Sequence, residues 1–169
     1  MKRIVFAVLF TLAMGAFLAE NLLYFPLSVP YMKGLAAGEP LLDMRPGYSP
    51  VVAYHLFEVL GQPGRGAYLR LLWTIDLLLP ALFGLFLSCA IRRGAFHAWR
   101  SIPLLAAACD YAENIMITIL LLRYPIHEPN FTQLASIFTV MKLVLYASGL
   151  LLAVGGCLVR VMNVRLSDT

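Results

Sequence analysis

Four stretches of the sequence are apolar over about 20 residues, the length that a helix needs to cross the hydrocarbon core of a bilayer. They cover approximately residues 4–25, 69–91, 102–122 and 134–159. Each is predicted to be a helix, because backbone polar groups in lipid must be satisfied within their own segment. Of all residues, 61% are hydrophobic and 13% charged, against roughly 45–50% and 25% in soluble domains. The sequence therefore predicts an all-α, integral membrane four-helix bundle that forms one domain over residues 1–169.

The connection between the first two predicted spans is about forty residues long, whereas the other two connections are short. Within it, "YSPVVAYHLFEVLG" predicts a short helix, with Ser49 as the N-cap, Pro50 at the first helical position and Gly61 at the end. Three polar residues of this helix have spacings that predict a shared face: Tyr54, His55 and Glu58. The sequence does not indicate a role for them.

The distribution of basic residues predicts how the bundle is oriented in the membrane. Seven of them fall on one side of the four predicted spans: Lys2, Arg3, Arg92, Arg93, Arg100, Arg160 and Arg165. Since cytoplasmic loops carry an excess of Lys and Arg, both termini are predicted to be cytoplasmic. The long first connection and the "RYPIHEPNF" turn are then predicted to lie on the outer side.

Every predicted span also carries ionisable residues at membrane depth. They are Glu20, Asp76, Asp110, Glu113 and Lys142. A charge at the bilayer centre costs roughly 2.5–3.5 kcal/mol on insertion scales, so these side chains are predicted to face the bundle interior.

The third span carries the densest group of these residues, in "AACDYAENIM". Asp110, Glu113 and Asn114 are spaced i, i+3 and i+4, which places them on one helix face. Lys142 is predicted to be their counter-ion, with Tyr146 one turn further along as a hydroxyl donor. Four carboxylates against one lysine leave three negative charges, which must be protonated, paired with Arg70 or a loop group, or balanced by a ligand. A purely structural role, in which these residues only join the helices, is the alternative.

The first functional hypothesis is an intramembrane isomerase or cyclase that acts on an isoprenoid, a sterol-like lipid or another apolar molecule. Glu113 or Asp110 would protonate the substrate, and Asp76 or Glu20 would stabilise the developing cation or remove a proton. The substrate-binding residues would be Asn114, Asn21, Lys142, Tyr146 and Trp73. This chemistry needs no cofactor, and the sequence contains no cofactor-binding fingerprint.

Two other hypotheses belong to different functional classes. A small proton-coupled transporter or binding protein for a cationic hydrophobic substrate would also use the excess carboxylates. It predicts a homodimer, because four helices enclose little volume. An accessory membrane subunit would instead use the polar residues to meet a partner's helix.

Several other classes lack support in the sequence. There is no HExxH, GxSxG or P-loop motif. The net charge of +4 is too small to indicate nucleic acid. The three cysteines have no metal-ligand spacing, so no metal site is predicted.

The second span reads "DLLLPALFGLF", an acid followed by apolar residues, proline and phenylalanine, and it comes after a long outer loop. In this layout the chain resembles the emopamil-binding-protein superfamily, small membrane proteins that include sterol isomerases and sterol-binding relatives. The resemblance covers most of the chain as architecture and carries over no functional residue. The segments "GRGAYLRLLWTIDLLLP" and "DYAENIM" also resemble uncharacterised bacterial four-span membrane proteins. This second resemblance implies a bacterial inner-membrane location.

Overall fold

The computed structural model describes residues 2–167 of the chain, all of whose regular secondary structure is helical. Six α-helices follow in order: α1 Lys2–Leu22, α2 Val29–Leu35, α3 Pro50–Leu72, α4 Ile75–Arg93, α5 Ile102–Arg123 and α6 Pro129–Ser167. Short 3₁₀ turns lie at Leu42–Met44 and His97–Trp99. The predicted all-α fold is confirmed.

The long helices α1, α4, α5 and α6 form an antiparallel bundle. Phe6 of α1 packs on Phe86 of α4 with ring centroids 5.4 Å apart, and Phe17 packs on Phe83 at 5.7 Å, so these two helices run in opposite directions. We call the end where α1 and α5 begin and α4 and α6 finish the basic end. The opposite end, which carries the long connection, is the loop end. Both described chain ends therefore lie at the basic end.

Four stretches of the described chain are long and apolar enough to cross a membrane. They are Ile4–Leu22, Pro50–Arg93, His97–Arg123 and Pro129–Asn163. Four basic side chains that the sequence assigned to one side belong to the basic end: Arg92, Arg93, Arg100 and Arg160. The side chains of Lys2, Arg3 and Arg165 lie outside the described part.

The boundaries of the second span differ from the prediction. Its predicted start at residue 69 lies inside α3, and the backbone breaks at Thr74 (φ −124°, ψ −87°) before α4 begins at Ile75. The apolar run continues through this break, so hydropathy alone does not reveal it. Helix α1 also ends three residues before the predicted limit, and α6 extends beyond both of its predicted limits.

The predicted short helix of the long connection is confirmed as the first part of α3. The Ser49 hydroxyl accepts a hydrogen bond from the Val52 amide at 3.4 Å, and Gly61 interrupts the helix with φ 60° and ψ −177°. The predicted shared polar face is wrong for Tyr54. This side chain is buried and its ring stacks on His127 at 4.0 Å, whereas His55 and Glu58 are exposed.

The main hydrophobic core lies at the loop end of the bundle. Its largest fully buried side chains come from the long connection and α3, and include Met32, Leu41, Phe57 and Tyr68. They pack against Ile117, Leu120 and Leu121 of α5 and Ala135 of α6. The connection therefore covers this end of the bundle, and the polar residues of the helices lie beneath it.

Candidate functional site in the bundle interior

Lys142 of α6 joins the two acidic residues of α5. Its Nζ lies 2.9 Å from Asp110 Oδ1 and 2.7 Å from Glu113 Oε2, and all three residues are buried. Asp110 and Glu113 lie on one face because they are three residues apart, so a single ammonium reaches both. The pairing predicted from the sequence is therefore observed.

Glu113 is the most enclosed of the carboxylates, with 0% of its surface exposed. Its Oε1 and the Ala135 carbonyl, which lies 3.0 Å from the Thr139 hydroxyl, share the single proton of that hydroxyl. Its Oε2 lies at ion-pair distance from Lys142 without the geometry of a hydrogen bond. Thr139 and Lys142 are three residues apart on α6, so one face of that helix supplies both partners.

A second polar pair joins α4 to α5. The Asn114 Nδ2 donates to Asp76 Oδ2 at 2.9 Å, while Asn114 Oδ1 is buried with no hydrogen-bond partner among the described residues. Asn114 also lines a groove of about 180 Å³ on the outside of the bundle, together with Leu72, Trp73, Leu77, Tyr111 and Ile115. The half-buried Asp76 thus lies one hydrogen bond behind the groove wall.

The long connection contributes a fifth acidic residue, Asp43. Its Oδ1 accepts a hydrogen bond from the buried Tyr68 hydroxyl at 2.6 Å, and that hydroxyl accepts from the Leu42 amide at 3.2 Å. Asp43 lies close enough to act electrostatically on Asp110, Glu113 and Lys142. Asp43 is half-buried and makes no hydrogen bond or ion pair with these three described residues, and we group it with the interior cluster because it lies within electrostatic range of them.

Tyr48 is a second contribution of the long connection. Its backbone amide donates to the Ser136 hydroxyl at 2.9 Å, which fixes this part of the loop on α6. Its own hydroxyl is buried close to the Thr139 side chain. Burial and the nearby Glu113 raise the pKa of Tyr48, so its phenol stays protonated.

Glu20 completes the cluster from α1. It is 7% exposed and lies within electrostatic range of Asp43, Asp110 and Lys142, without a hydrogen bond or ion pair to them among the described residues. The cluster, which we call the carboxylate cluster, then consists of Glu20, Asp43, Asp76, Asp110, Glu113 and Lys142. It contains five carboxyl groups and one lysine. Arg70, which the sequence offered as a further counter-ion, is exposed and donates to the Gly66 carbonyl.

Three other residues of the predicted site have local partners. The Tyr146 hydroxyl donates to the Pro80 carbonyl of α4 at 3.3 Å rather than to a carboxylate. The Asn21 amide donates to the Phe17 carbonyl of its own helix at 2.9 Å. Trp73 donates to the Thr118 hydroxyl at 2.9 Å and forms part of the groove wall. Tyr146 and Trp73 therefore border the site, whereas the Asn21 amide is used within α1.

The sequence reasoning missed Asp43, Tyr48 and Thr139. Thr139 had a signal, because it precedes Lys142 by one helical turn within an apolar stretch. The sequence also gives a weak indication for Asp43, since this residue directly follows two leucines in a connection that is otherwise rich in turn residues. It gives no indication for Tyr48, because no pattern near this residue predicts contact with α6.

No protein-family model, curated protein or solved structure matches the chain.

Proposed function

We propose that this chain is an integral membrane protein whose carboxylate cluster performs acid–base chemistry on a hydrophobic substrate, as an isomerase or cyclase does. The observation that supports the proposal most directly is the Asp76–Asn114 pair, which lies immediately behind an apolar groove and beside the Asp110–Lys142–Glu113 ion pairs. With a volume of about 180 Å³ the groove would hold one end of an isoprenoid or sterol-like molecule, which would reach it from the bilayer without crossing water.

The contacts favour a particular division of roles. Both oxygens of Glu113 are engaged by Thr139 and Lys142, so this residue is poorly placed to meet a substrate. Asp76 has one oxygen bound by Asn114, which lines the groove, and no other side-chain partner is described for it. We therefore infer that Asp76 donates the proton, whereas the sequence alone favoured Glu113 or Asp110 for this step.

The remaining residues would act on the charge that develops after protonation. Protonation of an alkene produces a carbocation, which nearby carboxylates stabilise. Removal of a different proton by a carboxylate then gives the rearranged alkene and returns the proton to the protein. No electrons are gained or lost, so the cycle needs no redox partner. Asn114 would orient Asp76 through its amide.

Hydrogen–deuterium exchange into a panel of lipids tests this mechanism before the substrate is identified. The protein in lipid nanodiscs would be incubated in D₂O with isoprenoid and sterol alkenes, and the lipids analysed by mass spectrometry. We expect deuterium at carbon in one lipid class with the wild type and at least a tenfold loss of label with Asp76→Asn. Glu58→Gln, which changes an exposed loop carboxylate, is the matched control. Undiminished exchange in Asp76→Asn, or none with the wild type across the panel, would overturn the proposal.

The charge imbalance supports a second candidate function, proton-coupled binding or transport of a hydrophobic cation. Five carboxyl groups share one lysine in the interior, and a bound cation would release protons from them. Addition of tetraphenylphosphonium to the detergent-solubilised protein should then acidify a weakly buffered solution, and Asp76→Asn should reduce the signal. An unchanged pH with the wild type would contradict this alternative.

A further inference from the structure

A groove separate from the carboxylate cluster runs along the outside of the bundle at the basic end. It has a volume of about 400 Å³ and lies among α1, α4 and α6, within the roughly 300–1,000 Å³ range of ligand pockets. Its apolar lining includes Phe6, Phe86, Leu87, Leu150 and Val154. On α6 the lining residues extend from Leu150 to Arg160, about 15 Å along the helix axis.

Two arginines complete the lining of this groove at the basic end. The Arg93 guanidinium lies over the Phe6 ring at 4.0 Å, which fixes it beside the apolar wall. Arg160 is exposed and donates one hydrogen bond to the Arg93 carbonyl. A guanidinium has five N–H donors, so Arg160 retains others that suit phosphate oxygens.

Charge complementarity identifies the occupant. Residues 77–109 contain three arginines and no Asp or Glu, and residues 143–167 contain two arginines and no Asp or Glu. Among the described residues of these two segments, the charged side chains near the groove are therefore all arginines. An apolar channel that ends at two guanidinium groups matches a molecule with an acyl chain and an anionic head group.

We propose that this groove binds an anionic phospholipid, with an acyl chain along Phe86 and Leu150 and the phosphate on Arg93 and Arg160. The inference rests on the membrane insertion proposed above and is independent of the proposed acid–base reaction. A lipid at this place would bind α1, α4 and α6 together at the end opposite the loop core. It would thereby stabilise the end of the bundle that has no large covering segment.

Native mass spectrometry of the full chain, released from nanodiscs, tests the proposal. The nanodiscs would contain equal amounts of phosphatidylglycerol and phosphatidylcholine. We expect the wild type to retain one phosphatidylglycerol in preference to phosphatidylcholine. Arg160→Gln should lower that preference about fivefold, the effect of removing one basic residue from an anionic surface. Arg160→Lys, which keeps the charge, should lower it less.

Two further variants keep the interpretation specific. Arg100→Gln removes an exposed arginine that belongs to the same end but does not line the groove, and it should retain the lipid as the wild type does. Ala153→Phe fills the groove while leaving every charge in place, and it should reduce retention of the lipid. Equal retention of the two lipids by the wild type would overturn the proposal. Equal losses in Arg100→Gln and Arg160→Gln would do the same, because they would indicate a diffuse basic surface. The deuterium-exchange experiment with Asp76→Asn tests only the acid–base reaction, so its result and the result for the lipid site can be told apart.

Discussion

Lys142 is the residue on which the electrostatic balance of the interior depends. It is the only Lys or Arg of the described part that contacts the buried acids Asp110 and Glu113. Removal of one partner from a buried ion pair leaves an uncompensated charge, which costs more than the pair contributes. Its replacement should therefore affect stability more than that of any exposed lysine.

The variant Lys142→Met should lower the free energy of unfolding by about 3–5 kcal/mol. Lys33→Met, which removes an exposed lysine of α2, is the matched control and should have little effect. The triple variant Lys142→Met with Asp110→Asn and Glu113→Gln should recover most of the loss, because neither acidic partner of Lys142 is then left charged without its cation. Denaturant unfolding in detergent measures all three. A triple variant no more stable than Lys142→Met would contradict the electrostatic explanation.

Asn21 and Asn114 can be compared directly, because each ends the same three-residue sequence, "AEN", in α1 and in α5 respectively. The Asn114 amide joins two helices through Asp76, whereas the Asn21 amide stays within its own helix. We expect Asn114→Ala to destabilise the protein by about 0.6–1.7 kcal/mol, the range of interhelical hydrogen bonds in membranes. Asn21→Ala should change stability by less than about 0.5 kcal/mol. Thermal unfolding of the two variants compares their stabilities. An equal loss of stability in Asn114→Ala and Asn21→Ala would contradict a stabilising role for the Asp76–Asn114 hydrogen bond.

At the scale of the helices, α3 depends on one glycine. Gly61 has φ 60° and ψ −177°, a backbone conformation that residues with a Cβ hardly adopt. This interruption separates the segment after Ser49 from the segment that carries the buried Tyr68. Because Tyr68 donates to Asp43, the turn at Gly61 also influences the carboxylate cluster.

The variant Gly61→Ala should therefore destabilise the protein by about 1–3 kcal/mol. Gly66→Ala in the same helix is the control, since a Cβ there meets no atom within 4 Å and the backbone is helical. Helix propensity favours alanine at that position by about 1 kcal/mol. Thermal melting of the two variants should thus shift in opposite directions. A Gly61→Ala variant as stable as the wild type would show that α3 can run without this turn.

The close approach of the end of α4 to α6 at the basic end depends on two glycines, Gly94 and Gly156. A Cβ on Gly94 would lie 2.9 Å from the carbonyl carbon of Gly156, and the Ala95 amide donates to the Gly156 carbonyl at 3.2 Å. Gly94→Ala must push the two backbones apart, at a cost of about 1–3 kcal/mol. Gly15→Ala in α1, where a Cβ meets nothing within 4 Å, should not destabilise. Denaturant unfolding measures the free energy of unfolding of both variants. Equal values for Gly94→Ala and Gly15→Ala would mean that the segments around Gly94 and Gly156 can separate at no cost.

At the scale of the whole molecule, the antiparallel bundle places the described chain ends and the long connection at opposite ends. Combined with the basic residues, this arrangement leads us to propose that the basic end is cytoplasmic. The large covering core would then lie on the outer side of the membrane. A lipid site at the basic end would belong to the cytoplasmic leaflet.

Cysteine labelling tests this orientation. In a background with the three native cysteines replaced by alanine, Glu58→Cys should react with a membrane-impermeant maleimide on intact cells. Arg100→Cys should react only after the cells are permeabilised. Both positions are exposed, so accessibility within the fold is matched. The reverse pattern would invert the proposed topology.

Local patterns in the sequence were enough to predict the four long apolar helices, the cap at Ser49, the break at Gly61 and the pairing of Lys142 with Asp110 and Glu113. Each of these follows from a local property: the apolarity of a stretch, the preference of Ser, Pro and Gly for helix ends, or the position of residues three and four apart on one helix. Only the tertiary structure shows that Asp43 and Tyr48 lie beside the helices and that a groove forms in front of Asp76. It also shows that the Asn21 amide bonds within α1 and takes no part in the site. These features depend on how a forty-residue connection folds back over the bundle and how helices distant in sequence pack, and no local pattern encodes such contacts.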